Sequence, residues 1–556
     1  MTASFESSFS FLGLDSPMNP TMSGPPTFVG FTRRRQRNLL KSSRLGLEPR
    51  RQYRPYCPMA SRPNILLIFT DQQRFDTIGA LGNPFVRTPN LDRLASEGTA
   101  FTSAYTPAPE CVPARCCLTF GQYPAHTGCF SNRDPFPFEK KQTIFDALTR
   151  TGYRTHGVGK CHFTPSEAAY KDNGFETREC QEELTSNPER DHYLQHLWSN
   201  GFKHVTDPHG VRGELYYMPQ PAQMPARLHP TQWVGDRAVS FVQEQASEDK
   251  PWFLYAGIIH PHPPFCPPAP WHKLYRDLDI PPPHLPPNFE DLQIRINRSQ
   301  NRYKRFDQGS DLWRIRMMRA YYFACISFID YQVGRVLDAL EATGQLDNTL
   351  IAFSSDHGEL LGDFGSVGKR SFHDAASRVP LIVRHPGTLP SGETRDTPVS
   401  LIDLTRTFAD TAGAEIETHQ LDGKNLVDLA GKPPEDRTVF THLMQGANGL
   451  YSAVNHRWKY AYSAPDQREF LFDRKKDPTE THDLIGVCNQ PEWPSSQAAT
   501  DMRDQLITHL REAGQTDAVD GNGWKSHPIQ SLPENPDGAL VYQDHPWADQ
   551  SIPGYS

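Results

Sequence analysis

Asn64–Gln72 reads NILLIFTDQ, an almost unbroken apolar run closed by an acid and an amide. A run of this length without polar alternation is buried on both faces, as in a strand inside a parallel sheet. Open sheets of this kind bind their ligands beyond the carboxyl ends of the strands. Asp71 and Gln72 are therefore expected on the functional rim. The segment 349–354 (TLIAFS) repeats the pattern and runs into Ser355, Asp356, His357 and Gly358. Two strands far apart in the chain, each ending in an acid, predict one sheet that gathers metal ligands from distant positions.

Working outward, Thr88–Asp92 opens a helix with Leu91, Leu94 and Ala95 on one face. Segments 143–150 and 153–159 read as helix then strand, and 331–341 reads as a helix leading into 349–354. Residues 258–288 are dense in proline (IIHPHPPFCPPAPW, then IPPPHLPPNF). That composition predicts an irregular loop rather than a helix or a central strand. After about residue 425, segments 439–443, 450–454, 458–462 and 469–472 suggest a small antiparallel sheet, followed by a helix near 499–513. The expected organisation is a basic tail over 1–58, a catalytic domain over 59–430 and a C-terminal subdomain over 431–556. A chain of 556 residues is long enough for one large domain and a smaller one.

The formal net charge is −8, which gives no global attraction to nucleic acid or anionic membrane. Residues 1–58 carry nine basic and three acidic side chains, a net of +6, and read as disordered. No apolar run approaches the ~20 residues needed to span a bilayer. No charged segment followed by an apolar one marks secretion, so a cytoplasmic location is expected. The Arg- and Ser-rich tail leaves an organellar transit peptide as the alternative, and Met59 is an alternative start. The ten cysteines fit no zinc-ribbon spacing, and most read as reduced core thiols.

Chemistry is carried by short motifs. Cys111–Arg115 reads CVPAR and continues CCLTFGQYP. Gly159–His162 reads GKCH, Pro261–Pro264 reads PHPP, Asp356–Gly358 reads DHG, and Gly368 precedes Lys369. Singly, each has an ordinary alternative: a loop cysteine, a turn aspartate, a surface histidine or a solvated lysine. In this order, however, they resemble the type I sulfatases of the alkaline-phosphatase superfamily over about residues 62–480. The one departure is Phe120-Gly121-Gln122, where the family has Thr/Ser-Gly-Arg. A Gly-Gln ending also occurs in choline-sulfatase-like members.

The resemblance implies an α/β fold: a large mixed sheet flanked by helices, with a small C-terminal antiparallel sheet. It implies that a formylglycine-generating enzyme oxidises Cys111 to an aldehyde. The hydrate of that aldehyde supplies one hydroxyl to attack sulfur and a second to expel sulfate. Asp71, Gln72, Asp356 and His357 would hold a divalent cation. Ca²⁺ is the family's usual ion, and Mg²⁺ or Mn²⁺ also suits these donors. Arg115 would brace the nucleophile, Lys160 and Lys369 would bind sulfate, and His162 would take the proton in the elimination step. His262 would face the leaving oxygen, with His260 as its neighbour and rival. Segment 229–233 (HPTQW) and the proline-rich loop are expected to wall the leaving-group pocket, with Trp233 either stacking on a ring or packed. A small sulfate ester is the expected substrate, and no oligomeric state is indicated. Two alternatives stand: a phosphonate monoester or phosphodiester hydrolase of the same superfamily, and a non-catalytic anion-binding protein if Cys111 is not converted.

Overall fold

Along strand β1 (Asn64–Asp71) alternate residues serve opposite sides of the protein. Ile65, Leu67 and Phe69 join one apolar cluster, and Leu66 and Ile68 join another. A strand buried this way must be covered by helices on both faces, and a computed structural model of the chain shows that arrangement. It describes residues 62–183, 187–212, 215–276, 278–304, 311–431, 437–485 and 494–531. The expected basic tail over 1–58 lies outside the described residues.

The strands in chain order are β2 (Thr99–Phe101), β3 (Ala104–Tyr105), β4 (Arg154–Gly159), β5 (Thr177–Cys180), β6 (Trp252–Pro261), β7 (Thr349–Ser355), β8 (Leu381–Arg384), β9 (Glu393–Arg395) and β10 (Val399–Ser400). The main sheet has eight strands in the order β5-β4-β6-β1-β7-β8-β2-β9. The first five are mutually parallel, and β8 runs antiparallel to β7 and β2, so the sheet is mixed. Helix α1 (Pro89–Glu97), α3 (Pro230–Glu244) and α4 (Leu312–Ala342) contribute to the cluster on one face, with Leu91, Leu94 and Ala95 buried as expected. Helix α2 (Cys111–Phe120) and α5 (Ile402–Ala412) contribute to the cluster on the other.

Two sequence expectations are corrected. The proline-rich region was expected to begin as an irregular loop at residue 258, but β6 runs to Pro261 in the middle of the sheet. Pro261 is tolerated because the ladder with β1 shifts register between Thr70 and Asp71, where Pro261 pairs. The missing N–H falls at that irregularity. The helix expected at 331–341 is the end of a 31-residue helix that starts at Leu312. Most of its middle is buried on every side, including Tyr321, Tyr322, Phe323 and Ala324. No one-sided stripe is therefore left to read in the sequence.

The parallel strands bring their carboxyl ends to one rim. Thr70 pairs with Ser355, so Asp71 and Asp356 emerge side by side. β4 delivers Lys160 next to β6, whose Gly257 carbonyl accepts the Lys160 N–H at 2.9 Å. This approach requires the absence of a side chain: a Cβ at Gly257 would overlap the Lys160 carbonyl. Gly257→Ala is expected to destabilise the fold by about 1–3 kcal/mol, the usual cost of overpacking. It should also displace Lys160 from the rim. Melting curves of the variant test the effect, and an unchanged melting temperature would contradict the overlap.

The four C-terminal strands, β11 (Val439–Leu443), β12 (Leu450–Val454), β13 (Trp458–Ser463) and β14 (Arg468–Asp473), form an antiparallel sheet in chain order. One face packs on helix α6 (Pro494–Glu512) through Met502, Leu506 and Leu510. The other packs on Leu292, Leu360 and Phe372 of the main body. Buried Lys459 fastens this contact, donating to Asp374 at 2.7 Å and to Glu480 at 2.6 Å. Among the described residues no helix is long and apolar enough to cross a membrane. All eight described cysteines are free and buried; Cys57 and Cys488 lie outside the described residues.

Candidate active site

Cys111 is the first residue of α2, and its sulfur meets groups from three other segments. Lys369 Nζ lies 2.7 Å away, His357 Nε2 3.2 Å and Asp71 Oδ1 3.6 Å. One donor atom each from Asp71, Cys111, Asp356 and His357 lie within 4.8 Å of one another. All four residues are fully buried.

Arg115, one helical turn after Cys111, ties the two acids together. Its Nε donates to Asp356 at 2.9 Å, its Nη2 donates to Asp71 at 3.0 Å, and its Nη1 donates to the Lys160 carbonyl and the Tyr255 hydroxyl. Lys160 Nζ pairs with Asp71 at 2.7 Å. Burial alone would push Asp71 up, but Lys160, His262, Arg115 and Lys369 together hold its carboxyl well below the usual range. Asp356 goes the other way, pushed up by burial and by the neighbouring Asp71. Two buried carboxylates placed so that one resists ionisation are a site that a cation would balance.

The donor set fits a hard divalent ion. His357 Nδ1 faces the Gly358 carbonyl at 3.0 Å and must carry the hydrogen, which leaves the Nε2 lone pair directed into the site. Gln72 Nε2 donates to Glu359, while Gln72 Oε1 is buried and has no hydrogen-bond partner among the described residues. An orphaned amide oxygen beside two carboxylates and an imidazole is a donor awaiting an acceptor of charge.

The structure thus brings together Asp71, Gln72, Cys111, Arg115, Lys160, Asp356, His357 and Lys369. His262 stands over Glu183, with Nδ1 3.4 Å from its carboxylate. His162 follows Lys160 with a left-handed backbone (φ 55°), and its Nδ1 is buried with no partner among the described residues. Burial and then Lys160 keep His162 well below its ordinary pKa, which favours the neutral ring. His260 is turned away into a hydrogen-bonded cluster with Thr231 and the Cys266 sulfur. Trp233 is packed in the core against Tyr193 rather than lining the site. Phe120 fills an aromatic cluster with Phe136, Phe138 and His419, and Gln122 is held by Lys141 and the Gln420 carbonyl.

Sequence reasoning missed three acids. Glu359 accepts from Gln72, Tyr217 and the Gly368 N–H, linking the metal donors to the loop that carries Lys369. Its signal was its place directly after Asp356-His357-Gly358. Glu182 accepts from the backbone N–H groups of Cys161 and His162, and Glu183 pairs with Lys160, Arg212 and His262. This adjacent pair had no motif to mark it.

Residues 63–414 match the sulfatase family model. The chain belongs to the sulfatase family. It is accordingly an enzyme of the sulfuric ester hydrolase class. Residues 362–511 of this sulfatase also match the family described as N-sulphoglucosamine sulphohydrolase, C-terminal. The sulfatase is 30% identical to an arylsulfatase of Clostridium perfringens, over 85% of this chain and 99% of that protein. It is 31% identical to a choline-sulfatase of Rhizobium meliloti, over 81% and 87%. Among solved structures, it resembles a phosphonate monoester hydrolase of Agrobacterium radiobacter with a TM-score of 0.68 and 25% identity, over 83% of this chain and 98% of that one.

Proposed function

We propose that this sulfatase hydrolyses a small sulfate ester to an alcohol and sulfate, with Cys111 converted to formylglycine by a formylglycine-generating enzyme. The position of residue 111 carries the reading: it heads α2 at the junction of Asp71, His357 and Lys369. Unmodified, Cys111 suits this place poorly, since burial and Asp71 push its thiol up to about 12 and keep it protonated. Asp71, Gln72, Asp356 and His357 would hold a divalent cation, Ca²⁺ in this reading. Bound there, it supplies positive charge at the reacting oxygens.

The remaining roles fall to side chains. Lys160 and Lys369 offset charge on the sulfate oxygens as it builds in the transition state. Arg115 keeps Asp71 and Asp356 aligned. His262 gives a proton to the departing alcohol oxygen, and His162 takes one in the step that frees sulfate. The burial of Asp71, Lys160, His262, Asp356, His357 and Lys369 supports a compact sulfate head with a small alcohol behind it. A second reading, phosphonate monoester hydrolysis, is favoured by the likeness to the Agrobacterium enzyme. Without conversion of Cys111, the same cationic pocket would bind anions and not turn them over.

Mass spectrometry of the peptide containing residue 111 tests the central point. Formylglycine replaces the thiol sulfur by oxygen and removes two hydrogens. Activity across aryl, choline, sugar and phosphonate esters then separates the substrate readings. A series of sulfate esters separates the two histidines. His262→Ala is expected to cost about 10²–10⁴-fold on alcohols that leave poorly, and far less on activated aryl esters. His162→Ala should slow every ester alike and leave substrate-derived sulfate on the protein. The steeper leaving-group dependence in the His162 variant would reverse the assignment.

A further inference from the structure

We infer that Glu183 is a positioning residue that sets the proton-donating form of His262 and so determines how poor a leaving group the sulfatase can expel. The inference rests on the reading of His262 as the proton donor. Glu182 and Glu183 lie just past β5, and the two consecutive acids divide the work of holding the GKCH motif. Glu182 holds backbone, accepting from Cys161 and His162 N–H at 3.3 and 3.1 Å. Glu183 holds side chains. One oxygen accepts from Lys160 Nζ at 2.5 Å; the other lies 3.4 Å from His262 Nδ1 and also pairs with Arg212.

The hydrogen-bond chemistry around His262 decides its tautomer. Nδ1 lies 2.6 Å from the Pro263 carbonyl and 3.4 Å from Glu183. A carbonyl and a carboxylate only accept, so Nδ1 must carry a hydrogen in every protonation state. Nε2 is therefore the nitrogen that exchanges a proton, and it donates only when the ring is a cation. His262 is 1% exposed, and burial opposes that cation. The charged groups acting on it are Glu183, Lys369, Asp71 and Lys160, beside the Tyr216 ring at 6.3 Å. Lys369 and Lys160 also oppose the cation and, with burial, hold the ring well below its ordinary pKa; Glu183 is the strongest influence in the other direction. Glu183 remains ionised: burial would raise it, but His262, Lys160 and Arg212 hold it well below the usual range. It therefore acts as a fixed negative charge behind the ring.

Glu183→Gln keeps the shape and removes the charge. The loss in kcat/KM is expected to be at least about tenfold greater for an unactivated alkyl sulfate than for 4-nitrophenyl sulfate. Without the carboxylate the His262 cation loses its proton more readily. The high-pH limb of the alkyl-ester profile, where the acid form is lost, should therefore move to lower pH. Glu183→Asp should restore part of both effects. Circular dichroism and melting curves confirm that the variants are folded. An equal loss on both esters, with no movement of the limb, would show that Glu183 only holds Lys160, and the inference falls. His262→Ala is measured in parallel on the same esters. If that variant lacks leaving-group dependence, the underlying assignment has failed; if it shows the dependence and Glu183→Gln does not, the inference alone has failed.

Discussion

Replacing Cys111 by serine is expected to abolish turnover, a loss on the order of 10⁴-fold or more, as for other removed nucleophiles. The protein should still fold. A serine hydroxyl is no larger than the thiol, and the helix it heads is anchored elsewhere: Arg115 by two carboxylates and Val112 N–H by Asn132. The expectation comes from counting hydroxyls on one carbon. The aldehyde hydrate has two, so one can bond to sulfur while the other later drives sulfate off. Serine has one, so a sulfate ester once formed has no internal route to break down. A single stoichiometric release of product without turnover would support this account. Wild-type turnover by Cys111→Ser would end it.

The second large effect concerns the cation. Asp356→Asn should lower metal occupancy and cost about 4 kcal/mol of transition-state stabilisation, roughly 10³-fold in rate. Stability gives a readout apart from activity. In the wild type, a bound ion raises the melting temperature by mass action, and chelation removes that gain. In the variant, the repulsion between Asp71 and Asp356 is gone and the ion binds weakly. Its melting temperature should therefore respond little to added Ca²⁺ or to chelator. Full activity of the wild type after exhaustive chelation, with metal analysis confirming removal, would refute the metal role.

The sequence was most legible where a residue's function was local. β1 and β7 were visible as apolar runs, and their terminal acids Asp71 and Asp356 with them. The four strands of the C-terminal sheet were visible as short segments separated by polar turns, which is a local property. α4 was only partly legible, because burial on every side erases the period that marks a helix. β6 was obscured by prolines whose cost disappears at a register shift that no single segment encodes. Glu183 and Glu359 illustrate the deeper limit. Each acts through partners that only the fold brings together, Lys160 with His262 for Glu183 and Gln72 with Tyr217 for Glu359, and the residues beside each acid do not name those partners. The choice of His262 over His260 rested on proline register alone. That His260 faces Thr231 and Cys266 is a three-dimensional fact the register does not carry.

The complete burial of Cys111 has a consequence in time. The sulfur sits at zero exposure beneath Lys369 and His357, on a helix whose every residue is buried. No second protein can close its own catalytic groups around that atom once α2 has wound and docked. If residue 111 is oxidised as proposed, that step therefore belongs to the nascent chain, before β7 and the Lys369 loop, which come hundreds of residues later, are in place. Under that proposal folding and modification run as competitors, and a chain that folds first is locked out of activity for as long as it stays folded. In a host that makes the protein faster than it oxidises it, the yield of active enzyme should track the rate of synthesis, while the amount of soluble, well-folded protein does not.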